Sequence, residues 1–592
     1  MSLLHSMDRR NWRKCLCFSS HWGTVQGRRF CVLSALVLVA LLVGTAQPER
    51  AVYARPKAGL QASTLALPPN PDVVCAQCHE KIYDSYEKTP MARGSGRASA
   101  GLPEGEFSDP ASGVLYRVFM RDGKAWLTYD RQASQDRPAL HGEHQLLLYL
   151  GSGDLGRAYL YEVDGQWFET RINYYSLAHR WQMAPGNEGE KWMSSPLLID
   201  SSCLHCHASA VQTPLPGSEN RFVGLPFRQV GVGCSSCHGD PAQHVATFGT
   251  VSMVNPAKLA PRQRDSVCLQ CHIEGNAAVF QAGASLSQFR PGDDLSHYVT
   301  YFVEASAQSG GQRAVSQYEA LMHSACKKAS GDRLTCITCH DPHYVPSAAE
   351  RVHYYRSKCL MCHTGVKMAT QHFPEQPDCT VCHMPTLKTT DISHNELTDH
   401  DIQARPVVNE PSLELADMRN RDVLVPVFGE QAGDRALGLA YAQLADRGDR
   451  AAGEMALSLL KKAEQEGEND EQIHTQLGFL NQMSGDYEGA RKEYAAALAE
   501  DHDDVTAMGN LAVLDAVSGQ ADEAVSLLKR VIQDDPSRTA AGLNLAFIEC
   551  RMNRKSEALE VLHRLSVLDP DNPALVEFAT KGIYEGQSCE LR

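Results

Sequence analysis

The sequence predicts a mainly α protein in two parts: an irregular N-terminal domain carrying a small antiparallel β insertion, and a C-terminal α-solenoid. Three observations carry this expectation. A 34-residue period runs through the last quarter of the chain, seven copies of Cys-x-x-Cys-His fall in the first two thirds, and two Asp-Gly dipeptides separate β-rich runs between the first and second copies. At 592 residues the chain is too long for a single hydrophobic core, so two or three domains are expected.

The N-terminus has the pattern of an export signal. Arg28 and Arg29 precede an apolar run from Phe30 to Val43, shorter than the ~20 residues of a membrane span. Gly44-Thr45-Ala46 and Val52-Tyr53-Ala54 each set short residues two apart, as cleavage requires. Residues 1–54 are therefore expected to be a signal peptide or an uncleaved N-terminal anchor. Either one places the remainder in the periplasm or elsewhere outside the cytoplasm. A Pro/Ala-rich stretch at 55–71 is expected to be a flexible linker.

Cys75 opens the first motif, and Cys203 opens the second. Between them Val114–Met120, Lys124–Asp130, Arg157–Val163 and Gln166–Ile172 are rich in β-branched and aromatic residues. Asp122-Gly123 and Asp164-Gly165 join consecutive runs, which is a strong two-residue hairpin signal. The expected β insertion covers about 106–175. Six motifs then crowd into Cys203–His383 with little regular periodicity, so this part of the 72–405 domain is expected to lack a side-chain core of normal size.

A linker at 406–433 leads into the period. Leu477, Leu511 and Leu545 are 34 residues apart, as are Gly485, Gly519 and Asn553, and Ala490, Ala524 and Ala558. That is the tetratricopeptide repeat length, two antiparallel helices per unit. Small Ala residues let the helices approach closely, and Pro536 and Pro570 mark unit boundaries. With one divergent unit around Leu439–Ala463 the repeats suffice for a short solenoid at 434–580, followed by a tail at 581–592. Cys550 and Cys589 lie there, where an oxidising compartment permits a disulfide.

The seven motifs are Cys75/Cys78/His79, Cys203/Cys206/His207, Cys234/Cys237/His238, Cys268/Cys271/His272, Cys336/Cys339/His340, Cys359/Cys362/His363 and Cys379/Cys382/His383. Two thiols three positions apart reach the two vinyl groups on one edge of a haem and form thioethers, and the adjacent histidine is held beneath the iron. Zinc sites also use Cys-x-x-Cys pairs, but zinc does not require a histidine after every pair. Seven covalently attached c-type haems are the expected cofactors, and the porphyrins would fill the interior that side chains leave empty.

A low-spin haem needs a sixth ligand. Residues 62–405 hold eleven further histidines outside the motifs. The candidates tied closely to a motif are His244, six residues after His238, His343, three after His340, and His394 and His400 after the last motif. Such offsets suit a ligand donated to a neighbouring haem rather than to its own. Met91 is a further candidate, through its thioether, against the alternative of a packing methionine.

The run Gly231-Val232-Gly233-Cys234 through His244-Val245, with CITCHDPH at Cys336–His343 and CHMP at Cys382–Pro385, resembles a family of multihaem cytochromes. That family is related to the tetrahaem electron acceptor of hydroxylamine oxidoreductase, and its members often carry a tetratricopeptide tail. The resemblance spans about residues 72–580. It implies close haem pairs, many bis-histidine irons, and distal ligands at His244, His343, His394 and His400. The Cys-x-x-Cys-Lys motif of the more distant pentahaem nitrite reductases does not occur in this sequence, which departs from ammonia-forming nitrite reduction.

The expected function is an exported heptahaem cytochrome that carries electrons between redox partners, with the repeats docking a protein partner. The alternative is an oxidoreductase acting on a small nitrogen or sulfur compound at one open-coordination haem, its catalytic residues unassigned. The net charge of −15 argues against a nucleic-acid partner. A membrane is expected to be touched only through an uncleaved N-terminal anchor.

Overall fold

The protein is described from a computed structural model that covers residues 67–134, 137–199, 201–215, 218–304, 313, 315–364, 377–389, 396–403, 423–428 and 431–591. The expected export signal lies outside the described residues. Among the described residues no helix is long and apolar enough to cross a membrane.

Helix α1 (Val73–Tyr86) carries the first motif. A β region follows. A four-stranded meander, β2 (Gly105–Ser108), β3 (Leu115–Arg121), β4 (Lys124–Arg131) and β5 (Leu140–Leu146), lies beside a seven-stranded sheet. The seven-stranded sheet runs β1 (Ser95–Arg97), β6 (Leu148–Leu150), β7 (Gly156–Val163), β8 (Gln166–Glu169) and β11 (Leu197–Leu198), with β9 (Ile172–Tyr175) and β10 (Arg180–Met183) joined through β7. Both Asp-Gly hairpins form. Arg121 pairs with Lys124 and Val163 with Gln166, and Asp122, Gly123, Asp164 and Gly165 all have positive φ, which two-residue turns of this twist require.

The β content corrects the expectation in one respect. Strands run from Ser95 through β12 (Ala208–Val211) and β13 (Phe227–Val230), well outside 106–175. A three-stranded sheet of β14 (Ala277–Phe280), β15 (Val299–Glu304) and β18 (Leu424–Pro426) lies between motifs and repeats, and a ribbon of β16 (Thr386–Lys388) and β17 (Glu396–Thr398) follows the last motif. "Mainly α" therefore fits the C-terminal part and not the N-terminal half. The unforeseen strands are mostly two to four residues long, too short for an alternating pattern, and exist because a partner strand satisfies their backbone. For the same reason Leu424–Pro426 belongs to a sheet rather than to a linker.

The core is uneven. Tyr116, Tyr159, Tyr161 and Phe168 fill the β region, and Leu148, Leu160, Trp167 and Phe227 pack around Cys203 and Leu204 of the second motif. A small cluster including Leu269, Leu295 and Tyr301 supports the fourth motif. Beyond it the side-chain core stops. Between Tyr318 and Leu424, among the described residues, Pro346 is the only buried apolar residue.

The C-terminal helices alternate antiparallel: α2 (Asp434–Asp446), α3 (Arg450–Gln465), α4 (Glu471–Ser484), α5 (Tyr487–Glu500), α6 (Val505–Val517), α7 (Ala521–Asp534), α8 (Thr539–Arg551), α9 (Lys555–Leu568) and α10 (Pro573–Lys581). Asp449, Asp470, Asp486, Asp504 and Asn572 cap helix N-termini with their side chains. The period at Gly485, Gly519 and Asn553 has a backbone cause: all three have φ between +62° and +90°, the left-handed turn that ends a first helix. Ala490, Ala524 and Ala558 are fully buried where second helices pack.

The solenoid is attached to the rest of the chain at both ends. At α2, Leu439 and Ala442 pack on Ala277, Val279 and Phe302, and the Gln443 amide both donates to and accepts from the backbone of Ala278. At the far end Asp571 accepts from Arg131, and Ser195 donates to Asp569 at 2.7 Å. Helix α8 is buried over every position from Gly542 to Cys550, because the tail folds back on it as a hairpin, β19 (Ile583–Tyr584) and β20 (Gln587–Ser588). Tyr584 donates to Asn544 at 2.8 Å and Cys550 is disulfide-bonded to Cys589.

Candidate haem sites

Each motif sits at a helix end or on a one-turn helix, which places both thiols and the histidine on neighbouring turns. The short helices at Ser201–His205, Ser235–His238, Cys336–Cys339 and Thr380–His383 hold motif residues and little else.

Motif histidines from different parts of the chain face other histidines at a common spacing. The ring centres of His79 and His244 are 6.3 Å apart with planes 17° from parallel. For His238 and His343 the values are 5.9 Å and 13°, and for His340 and His400 they are 6.2 Å and 26°. These rings are too far apart for stacking contact. A metal–imidazole bond of about 2 Å on each side of one ion, plus about 1.1 Å from nitrogen to ring centre, puts two axial rings about 6.2 Å apart. The residues present therefore fit an iron between each pair.

Hydrogen bonds turn the rings the right way. Nδ1–H of His238 donates to the Val254 carbonyl and that of His244 to the Val251 carbonyl, both at 2.8 Å; His400 donates to Thr398 at 2.9 Å and His383 to Gln403 at 2.6 Å. An imidazole engaged at Nδ1 presents Nε2 to a metal. Burial keeps several of these rings in the neutral, ligating form. It lowers His207, His272 and His400, and it holds His340 down at about 4, helped by the neighbouring His400 and His272.

The motifs also meet edge to edge. Cys75 and Cys234 lie together, as do Cys206 and Cys271, Cys268 and Cys336, and Cys359 and Cys379. Cys237 neighbours Cys271, and Cys326 lies beside Cys339 and Cys362. Taken as motif numbers, the thiol pairs in contact join 1 to 3, 2 to 4, 4 to 5 and 6 to 7, and the thiols of 3 and 4 and of 5 and 6 are near enough to feel each other's charge. Gln270 cross-links three of them, its Oε1 accepting from His205 Nε2 at 2.9 Å and its Nε2 donating to the Ser236 carbonyl at 3.1 Å.

Several motif residues stand at the surface. Cys78 and His79 of the first motif, Cys362 and His363 of the sixth, and Cys382 of the seventh are exposed. The local structure explains this. Helix α1 buries only Tyr86, and the helix that leads into the sixth motif, Ala348–Leu360, buries no residue at all, so the motif groups that they carry stand at the surface. His79 still faces His244, but His363 faces none of the described histidines at the common spacing. Cys203 is buried, packed among Leu148, Leu160 and Phe227.

Other candidates are placed differently. His394 lies outside the described residues. Met91 contributes its carbonyl, which accepts from Val232 N at 2.9 Å. His144 is in strand β5, its ring centre 4.0 Å from that of Tyr161, in the core of the β region rather than near a motif. Sequence reasoning missed Asp72, whose carboxylate lies within 4.8 Å of the Cys75 and Cys234 thiols. The only sequence signal was Gly233: a Cβ there would stand 2.7 Å from Asp72 Oδ2. Glycine before Cys234 lets the carboxylate reach the Cys234 N–H at 2.9 Å.

A chain of this construction combines a c-type cytochrome segment with a helical-repeat domain. Residues 170–239, which contain the second and third motifs, match the family model of cytochrome c554 and c-prime, and residues 518–581 match the tetratricopeptide repeat model. No curated protein matches the chain. Among solved structures, similarity is found to YrrB, "a TPR protein with an unusual peptide-binding site", at 21% identity over 25% of this chain and 73% of that one, TM-score 0.22. MamA AMB-1 is similar at 19% identity over 25% and 81%, TM-score 0.22, and Pseudomonas aeruginosa PilF at 25% identity over 24% and 65%, TM-score 0.22.

Proposed function

We propose that this chain is an exported heptahaem c-type cytochrome that carries electrons between redox partners, with the repeat domain docking a protein partner. The observation that carries the reading is the recurrence of one ring spacing, 5.9 to 6.3 Å, in three histidine pairs drawn from four separate stretches of the chain. Packing alone has no reason to repeat it. In this reading His244 is the distal ligand opposite His79, His343 opposite His238, and His400 opposite His340; His394 serves another motif histidine, and Met91 is not needed on the first iron. Cys78 and His363 keep their roles as attachment point and proximal ligand on the motif spacing, and the haems they hold would have one edge open to solvent, where a redox partner can approach. Each bound haem would take up and release one electron. The protein holds the rings, keeps several of them neutral by burial, and brings every motif within thiol contact of another, and in this reading the electrons follow the order 1–3–4–5–6–7, with 2 branching at 4. Kinship to the tetrahaem acceptor of hydroxylamine oxidoreductase is supported by the match at 170–239. Export is supported by the Cys550–Cys589 disulfide, which an oxidising compartment favours.

The test is pyridine haemochrome quantitation with electron paramagnetic resonance on one purified sample, followed by His343→Ala. Seven haems per chain, with one turning from low to high spin in the variant and returning on addition of imidazole, is the expected result. A colourless protein sinks the reading. A native high-spin ferric signal with cyanide binding favours the oxidoreductase instead.

A further inference from the structure

Asp72 is a buried carboxylate placed where two motifs meet. Its residue is 7% exposed, and its oxygen lies within 4.8 Å of both the Cys75 and the Cys234 sulfur. Those sulfurs belong to the first and third motifs, so on the proposed reading they are the thioether edges of two adjacent haems. The carboxylate accepts from Gln229 Nε2 at 2.7 Å and from Cys234 N at 2.9 Å. No cationic side chain pairs with it among the described residues; the charged neighbour on its own element is Glu87, another acid. Three features of the chain hold it there. Asn70 accepts from the Asp72 N–H at 3.0 Å, Gly233 has no Cβ to block it, and Gln229 is itself buried in β13.

A buried charge is expensive unless it is well hydrogen-bonded. Here neutral donors stabilise the anion, and among the described residues no cationic side chain pairs with it. A ferric haem carries one more positive charge than a ferrous one, so a fixed anion at its edge favours the ferric form.

We propose that Asp72 sets the reduction potential of the haem pair attached at the first and third motifs, lowering both together relative to the other five. It is a positioning residue that acts through charge, touching the attachment edges rather than the irons. The inference rests on the haem reading above, and the experiment separates the two.

The variants are Asp72→Asn and Gln229→Leu in the full chain, with haem counted by pyridine haemochrome and potentials read by spectroelectrochemical titration at pH 8. Asp72→Asn removes the charge and keeps an acceptor of the same shape. Two of the seven potentials should rise together, by about a tenfold change in the reduced-to-oxidised ratio at fixed ambient potential, which is 59 mV for a one-electron couple. Gln229→Leu removes a donor whose positive end screens the carboxylate, so the same two should fall. Opposite shifts of one pair are the expected result. Full haem loading with unmoved potentials, or shifts of the same sign in both variants, overturns the proposal. If Asp72→Asn does not assemble, Gln229→Leu decides it: a fall confined to two haems supports the proposal and any other pattern rejects it. Absence of haem from the unaltered chain defeats the underlying reading instead.

Discussion

The junction between the β region and the far end of the solenoid rests on Arg131 and Asp571, whose side chains are 4% and 1% exposed. Arg131 Nη1 donates to Asp571 Oδ2 at 2.7 Å, Nη2 donates to Oδ1 at 2.5 Å, and the Met193 N–H donates to Oδ2 at 2.7 Å. Asp571→Ala strands a buried guanidinium and a buried N–H. Breaking one side of a buried pair costs about 3–5 kcal/mol, and an orphaned donor about 1–3 kcal/mol. The two effects share one oxygen and are not additive. Arg131 also keeps the Ser112 and Pro138 carbonyls, so the net expectation is about 4 kcal/mol. That is roughly a thousandfold in the equilibrium for opening this junction. Hydrogen exchange measures it: amides of Met193 and of α10 should exchange about a thousandfold faster, while those of α4 and α5 stay unchanged. The double variant Arg131→Met/Asp571→Leu, which leaves no buried charge, should recover most of the protection. Unchanged exchange at Met193 in Asp571→Ala would refute the reasoning, and so would a double variant as loose as the single one.

Two further outcomes follow from the structure. His144 is held down to about 3 by burial first and the nearby Arg171 second. The folded chain then binds fewer protons than the unfolded chain between about pH 3 and pH 6.5, so its contribution to stability is complete above about 6.5 and lost progressively as pH falls towards 3. Chemical denaturation between pH 7 and pH 4 should show this slope, and His144→Phe should flatten it. Cys589→Ser opens a loop closed over a sequence separation of 39, worth about 4 kcal/mol in the chain-entropy account. The expected result is earlier melting of α8 and α10, read by exchange or by proteolysis of the tail.

Legibility from sequence followed the range of the interaction. The repeat period was readable because each position serves one local need, such as the left-handed residue at Gly485, Gly519 and Asn553. The two hairpins were readable because Asp-Gly is itself the turn. The short offsets of His244, His343 and His400 pointed away from their own motifs, and their rings do face histidines of other motifs. What escaped depends on contacts across long stretches of chain. Motif spacing identifies Cys78 and His363 but says nothing of their exposure, which is decided by how little packs on the helices that carry them. Strands such as Leu197–Leu198 carry no pattern, and Asp72 meets Cys234 across 162 positions. The C-terminal hairpin was invisible for the same reason: nothing in Ile583–Ser588 announces that α8 needs covering on its remaining side.

The Gln443 amide on Ala278 has a bearing on how far the two halves can be separated. Strand β14 is the outer strand of its sheet, and Ala277 and Val279 on it are buried only because α2 lies across them. Gln443 answers the Ala278 N–H and C=O that a fourth strand would otherwise recruit. Cutting the chain before Asp434 would uncover an unpaired, apolar strand edge, the kind that templates self-association. The helical repeats thus act as a guard against aggregation for the domain that precedes them, and expression of that domain alone should give precipitate where the whole chain stays dispersed.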